Sequence, residues 1–319
     1  TETSLEKIEE KLKILVSELY SQYLYLSQSS KLSEIEKQSF RQYVDQDYNS
    51  KISLENSLKF LSKLLYEHHK QKVYILVDEY DKPVNYLLEQ NLSDSTDAVQ
   101  KIAHLITRIL STCGKSNDYL EKILLTGIFD SLKKEGGSGF NNVAVYGITD
   151  KKFSQHFGFL IDEVKHLVEK LEFIKPEQIL KNIKDWYNGY SVPVHGNKHI
   201  QAYTPWAVMR YLNDVYGDEE VEPQNYWVQS GASTIFQTLL KNEDCAESVF
   251  INSLLNITQI GNVTLEYNRA VSLFKYDLST ASKDERIFSY LLLNSGYLTA
   301  LSQNNTHITL SIPNFEVRE

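Results

Sequence analysis

The sequence predicts an α/β fold: a parallel-sheet core over residues 1–155, then a mainly helical region over 156–319 that closes on a small β-hairpin. Two short, continuously apolar runs carry this expectation, "VYILV" at 73–77 and "KILLTGIF" at 122–129. Between them lies a segment whose apolar residues keep helical spacing. Strand, crossover helix, strand is the pattern of parallel pairing, with both faces of the sheet covered.

The elements follow in order. Residues 4–26 read as an amphipathic helix, with Leu5, Ile8, Leu12, Leu15, Leu19 and Tyr23 on one stripe and Thr3 with Glu6 as a capping box. A weaker helical pattern covers 33–48, and a stronger one covers 52–70 with Leu54, Leu58, Leu61 and Leu65 on one face. After the strand at 73–78, Val99, Ile102, Ile106 and Ile109 mark the crossover helix over 95–111. The Gly-rich stretch "KKEGGSGFNNV" (133–143) follows the second strand. Helical patterns then dominate from about 160 to 255, broken by the aromatic turns "WYNGY" (186–190) and "YTPWAV" (203–208). "GYLTAL" (296–301) and "HITLSI" (307–312) read as the terminal hairpin, turned at Gln303-Asn304-Asn305.

Composition narrows the function classes. With 42% apolar and 24% charged residues over 319 positions, the chain has the make-up of a soluble globular protein. No run approaches the roughly 18 uncharged apolar residues of a membrane span. The opening "TETSLEKIEEKLK" is polar and acidic, so no secretory leader is expected there, and Thr at position 1 predicts a processed start or a fragment. A formal charge of −9 argues against general nucleic-acid binding, which depends on phosphate contacts. Cys113 and Cys245 are too few and too far apart for a disulfide framework, which makes a reducing cytoplasm the expected compartment. His68-His69 beside Glu67 reads as a solvated helix terminus.

The chemistry gathers at the end of the first strand, where Asp78 and Glu79 follow five apolar residues and Asp81 comes two places later. Carboxyl ends of parallel strands are where open α/β sheets bind ligands, and Thr126 ends the second strand at the same edge. In nucleotide triphosphatases an Asp at such a place orients the magnesium shell and the next acid polarises the attacking water. Neighbouring strand residues face opposite sides, so the two carboxylates can divide these roles.

Two other motifs are decoys. "ILSTCGKSN" ends like a phosphate loop, but Ile109 stands where its first glycine is needed, and the segment ends a helix instead of opening one. "IDEVK" (161–165) has the acid–lysine spacing of a metal-dependent nuclease, yet Leu160, Val164, Leu167, Val168 and Leu171 place it on a helix, where Glu163 and Lys165 diverge.

Several segments, among them "ILVDEYDKPV", "ILLTGI", "SGFNNV", "FGFLIDEV", "IKDWYNGY", "YTPWAVMRYL", "NYWVQSGAS" and "SIPNFEVRE", occur in the order found in the AAA-ATPase-like proteins. The chain resembles that bacterial family from about residue 50 to its end. In that family a P-loop-type module commonly precedes a PD-(D/E)XK nuclease domain. The resemblance implies an incomplete P-loop-NTPase-like core, lacking the phosphate-binding loop (Walker A) and the nuclease. It implies that Asp78 and Glu79 are the Walker B acids, with Asp78 on Mg2+ through water and Glu79 as catalytic base. Thr126 takes the sensor position, and Asp78 and Asp81 are the side chains expected to bind ATP with its magnesium. The implied partners are a protein or a downstream nuclease-like domain, with no nucleic acid and no membrane. The alternative function is a degenerate ATPase acting as scaffold in a bacterial toxin or effector, which could place it in a host cytosol.

Overall fold

The computed structural model describes residues 4–48, 52–89, 95–128, 143–195, 198–227, 257–266 and 285–319. The chain divides into two compact units, Thr1–Val143 and Ala144–Glu319.

In the first unit, helix α1 (Ser4–Ser21) is followed by a 3-10 turn over Leu24–Gln28. Thr3, the expected cap of α1, lies outside the described residues. Helix α2 (Glu34–Val44) starts at a capping box: Ser33 accepts from the Glu36 N–H, and the Glu36 carboxylate returns to the Ser33 N–H. Helix α3 (Ser57–His69) ends at Lys70 in the left-handed region, φ 58°. Tyr20 stacks on Tyr43 with ring centroids 4.6 Å apart, and its hydroxyl donates to the Ser57 carbonyl at 2.7 Å. Phe40, Leu61 and Leu64 complete this core; of the stripes the spacing predicts, Leu54 and Leu61 are buried in it and Leu12, Leu19, Tyr23, Leu58 and Leu65 pack against it half-buried.

Strand β1 (Val73–Val77) pairs in parallel with β2 (Leu120–Leu125), the register running from Val73 opposite Leu120 to Val77 opposite Leu125. The crossover is helix α5 (Ser95–Gly114), preceded by helix α4 (Lys82–Glu89), which the sequence reading passed over. The fold is thus mixed α/β with one parallel pair among the described residues, and β2 ends at Leu125, one residue before Thr126.

One expectation is corrected. Both faces of the parallel sheet were to be covered, but Tyr74, Leu76 and Leu124 are 63, 73 and 59% exposed. Among the described residues, helices α3 and α5 pack on the strands through the alternate side chains Val73, Ile75, Val77 and Ile123, which are half-buried. Period-two alternation therefore turns Tyr74, Leu76 and Leu124 to the other, exposed face. Likewise Leu15, read as part of the buried stripe of α1, is 58% exposed.

The second unit packs helices over Ile161–Lys170, Pro176–Tyr187 and Pro205–Gly217 around Val164, Val168, Ile179, Ile183, Tyr187, Tyr211 and Val215. "IDEVK" lies on the first of these helices, where Glu163 caps the Leu160 N–H at 2.7 Å. Among the described residues the two expected interruptions hold strands. "WYNGY" runs from a helix into strand β3 (Asn188–Pro193), antiparallel to β4 (His199–Tyr203), and "YTPWAV" runs from β4 into the next helix. Strands β5 (Val263–Glu266), β6 (Thr299–Gln303) and β7 (His307–Ser311) form an antiparallel sheet in the order β5-β7-β6. Helix Glu285–Asn294 precedes β6, and the four-residue helix Phe315–Arg318 follows β7. Most of the helical stretch expected up to 255 lies outside the described residues from 228 onward.

Candidate functional site at the strand edge

Parallel pairing sets the ends of β1 and β2 side by side, and the backbone continues the pairing past them. The Thr126 N–H donates to the Val77 carbonyl at 2.9 Å, and the Tyr80 N–H donates to the Thr126 carbonyl at 3.0 Å. This brings together side chains 48 positions apart in sequence, because the Thr126 hydroxyl donates to Asp78 Oδ1. The same oxygen accepts the Glu79 N–H at 3.0 Å. Asp78, Glu79 and Thr126 are all exposed, so the edge is open to solvent.

Glu79 adopts φ 51°, a left-handed conformation unusual for a residue with a side chain. Its carboxylate pairs with Lys82 Nζ at 2.6 Å, both side chains being well exposed. Such a pair is weak and screened by salt, so the carboxylate exchanges readily with other partners. The backbone strain predicts a stability test. Glu79→Gly is expected to stabilise the first unit by about 0.5–1 kcal/mol, read as a shift in denaturation midpoint, although it removes an acid and an ion pair. A loss of that size would show that the conformation is not strained.

Asp81 differs from its neighbours. It is 1% exposed, and its Oδ2 accepts the Ile128 N–H at 3.0 Å and Asn85 Nδ2 at 3.1 Å. The expectation that Asp81 contacts nucleotide thus meets a carboxylate already engaged inside the protein. Sequence reasoning also passed over Lys82, Asn85 and Gly127. The glycine directly after Thr126 was the available signal: a Cβ there would lie 2.6 Å from Asp81 Oδ1 and 2.8 Å from the Tyr80 ring.

Behind the acids, a cavity of about 490 Å³ lies among α1, α3, α5 and β1. Leu12, Leu19, Leu58, Leu65 and Ile106 line it, and the lining reaches Asp78 and Glu79. The site therefore has an apolar side and an open acidic side.

Among the described residues no group of three or more His, Cys, Asp or Glu side chains is arranged to hold a metal. His68 and His69 instead bond Ser29 Oγ and the Tyr25 hydroxyl, each at 2.8 Å. The donors at the strand edge are hard oxygens from one carboxylate and one hydroxyl. That set suits magnesium, which keeps several waters and takes one or two carboxylates plus ligand phosphates. The residues present fit a magnesium-nucleotide and give no basis for an all-protein metal cage.

Residues 1–135 match the profile of the AAA-ATPase-like family, described as a predicted AAA-ATPase. The matched stretch holds β1, β2, Asp78, Glu79, Asp81 and Thr126. Over 221 residues the chain is 24% identical to an uncharacterized protein in the vnfD 5′ region of Azotobacter chroococcum mcd 1. That similarity covers 66% of this chain and 39% of the Azotobacter protein, so the chain spans well under half of that relative's length. No solved structure matches the chain.

Proposed function

We propose that the first unit is a nucleotide-binding module of a larger protein, with the exposed edge of β1 and β2 as the place where magnesium-ATP binds and is hydrolysed. The observation that carries this reading is the Thr126 hydroxyl bonded to Asp78 at the tips of adjacent parallel strands, inside the stretch that matches the AAA-ATPase-like family. Magnesium at this edge supplies charge neutralisation for the phosphates.

The chain's own residues take the following roles. Asp78 holds the metal's water shell through its exposed carboxylate. Thr126 fixes the orientation of that carboxylate by donating its hydroxyl proton to Asp78, and it stands at the sensor position near the terminal phosphate. Glu79 accepts a proton from the attacking water, its carboxylate moving from Lys82 to the water. The sequence has no Gly-x-x-x-x-Gly-Lys-Ser/Thr, and turnover depends on a phosphate grip being supplied to this edge. Among the described residues no helix is long and apolar enough to cross a membrane.

The test is a calorimetric titration with magnesium-ATP, first of this chain and then of its parent protein, each repeated with Asp78→Ala. Saturable binding that Asp78→Ala abolishes is the expected result. Absence of binding from both folded proteins removes the reading. A scaffold that engages protein partners without nucleotide would then be the function to pursue.

A further inference from the structure

We infer that Asp81 is a positioning residue for this edge: its buried carboxylate clamps the segment after β2 and so holds the Thr126 hydroxyl on Asp78. The consequence for turnover rests on the magnesium-ATP reading, whereas the clamp itself rests on geometry alone.

The β1–β2 ladder ends where β1 turns toward α4. Up to that point backbone groups suffice, with Thr126 N–H on the Val77 carbonyl and Tyr80 N–H on the Thr126 carbonyl. The next donor, the Ile128 N–H, lies beyond the last β1–β2 pair, and among the described residues no strand pairs with it. Asp81 Oδ2 takes its place at 3.0 Å, so a side chain extends the pairing where the backbone cannot. Gly127 lies flat against the same carboxylate, since any Cβ there would come within 3.0 Å of Asp81 Cγ.

From the opposite side, Asp81 is built into the start of α4. Its carbonyl accepts the Val84 and Asn85 N–H groups at 3.0 Å each, and Asn85 Nδ2 returns to its Oδ2. One residue thus ties together the exit of β1, the first turn of α4 and the exit of β2. Thr126 sits between the last ladder bond and the Ile128 clamp. Held at both sides, its backbone keeps the side chain in the conformation that reaches Asp78. A hydrogen bond from a backbone N–H to a buried charged acceptor is among the stronger ones available for this purpose.

The experiment follows the 319-residue chain by NMR. Two signals matter: hydrogen exchange of the Ile128 amide, and the γ-methyl carbon shift of Thr126, which reports its χ1 rotamer. Asp81→Ala is expected to speed Ile128 exchange at least tenfold and to move the Thr126 shift toward a rotamer average. Exchange in the ladder around Ile75 and Ile123 should stay unchanged. Asp81→Asn is isosteric and keeps one acceptor, so it should move both signals in the same direction by less, which keeps the test readable if the alanine variant does not fold. A Thr126 shift that stays at its wild-type value while Ile128 exchange rises overturns the inference.

In protein that turns over magnesium-ATP, both variants should lower kcat by about ten- to a hundredfold at unchanged KM. Wild-type protein that neither binds nor hydrolyses magnesium-ATP defeats the functional reading, and the Thr126 shift still decides the role of Asp81.

Discussion

A Gly189→Ala chain is expected to lose the fold of its second unit. Gly189 is the second residue of β3 with φ 140°, a conformation side chains rarely adopt. A Cβ built there lies 1.8 Å from the Pro313 carbonyl oxygen and 2.8 Å from its carbon. Both are backbone atoms, so no rotamer change relieves the clash. The surroundings cannot yield cheaply either. Trp186 packs edge-on against Phe315 with centroids 4.7 Å apart, the Ser191 N–H donates to Thr299 Oγ1 at 2.8 Å, and the Tyr190 hydroxyl donates to the Gly296 carbonyl at 2.6 Å. Adding about 1–2 kcal/mol of backbone strain to about 1–3 kcal/mol of overpacking gives a loss on the order of 2–5 kcal/mol, enough to unfold a marginal unit. Urea denaturation followed by tryptophan fluorescence measures it. Gly217→Ala is the control: it ends a helix, and a Cβ there meets nothing within 4 Å. That change should be neutral or stabilise by up to about 1 kcal/mol. Equal behaviour of the two variants would mean that the approach of Gly189 to Pro313 is not needed by the fold.

The position of Gly189 also shows what the sequence could and could not tell. "WYNGY" was visible as an aromatic interruption of helical spacing, but its contact with Pro313 joins segments 124 positions apart in a numbering that runs from 189 to 313. Spacing carries local periodicity, so α1, α3 and α5 were legible from their leucine and isoleucine spacing, whereas α2 buries Phe40 and Tyr43 behind a weaker pattern. Short elements were not. "KPVNYLLE" gives α4 only two turns of pattern, and "NGYSVP" and "HIQAY" are strands too short and mixed to outweigh the helices beside them.

The candidate site divides in the same way. Asp78, Glu79 and Thr126 were legible because strand ends collect exposed polar groups, and parallel pairing fixes which ends are neighbours. Asp81 looked equivalent to them in sequence. What separates it is burial, set by the close approach of Gly127 and by the Ile128 N–H, neither of which a one-dimensional pattern displays.

Glu316 is the second residue whose removal should be felt strongly. It is fully buried, a rare state for glutamate, and Oε1 accepts the backbone N–H groups of Tyr226 and Trp227 at 2.7 Å each. Its carbonyl accepts Asn225 Nδ2 at 3.0 Å, so one residue pins the chain at 225–227 to the C-terminal helix. Glu316→Ala removes the carboxylate acceptor of two backbone N–H groups and is expected to destabilise the second unit by roughly 2–5 kcal/mol. Glu316→Gln should act in the opposite sense. Burial pushes the Glu316 carboxyl above the usual range, and the N–H bonds from Trp227 and Tyr226 pull it back only in part. A carboxyl raised in the folded state stabilises most when protonated in both states. That contribution is fully present below the unfolded value of about 4.3 and is lost as the pH rises through the folded value. Glutamine keeps an oxygen for the two N–H groups and never ionises. The Gln variant should therefore melt above wild type near about pH 8, with the gap closing toward about pH 4 as wild-type Glu316 becomes neutral. Thermal unfolding across that range reads the difference directly. A Gln variant that is less stable at high pH and equal at low pH would show that the two backbone bonds outweigh burial, and that the ionised carboxylate is itself what holds the terminal helix in place.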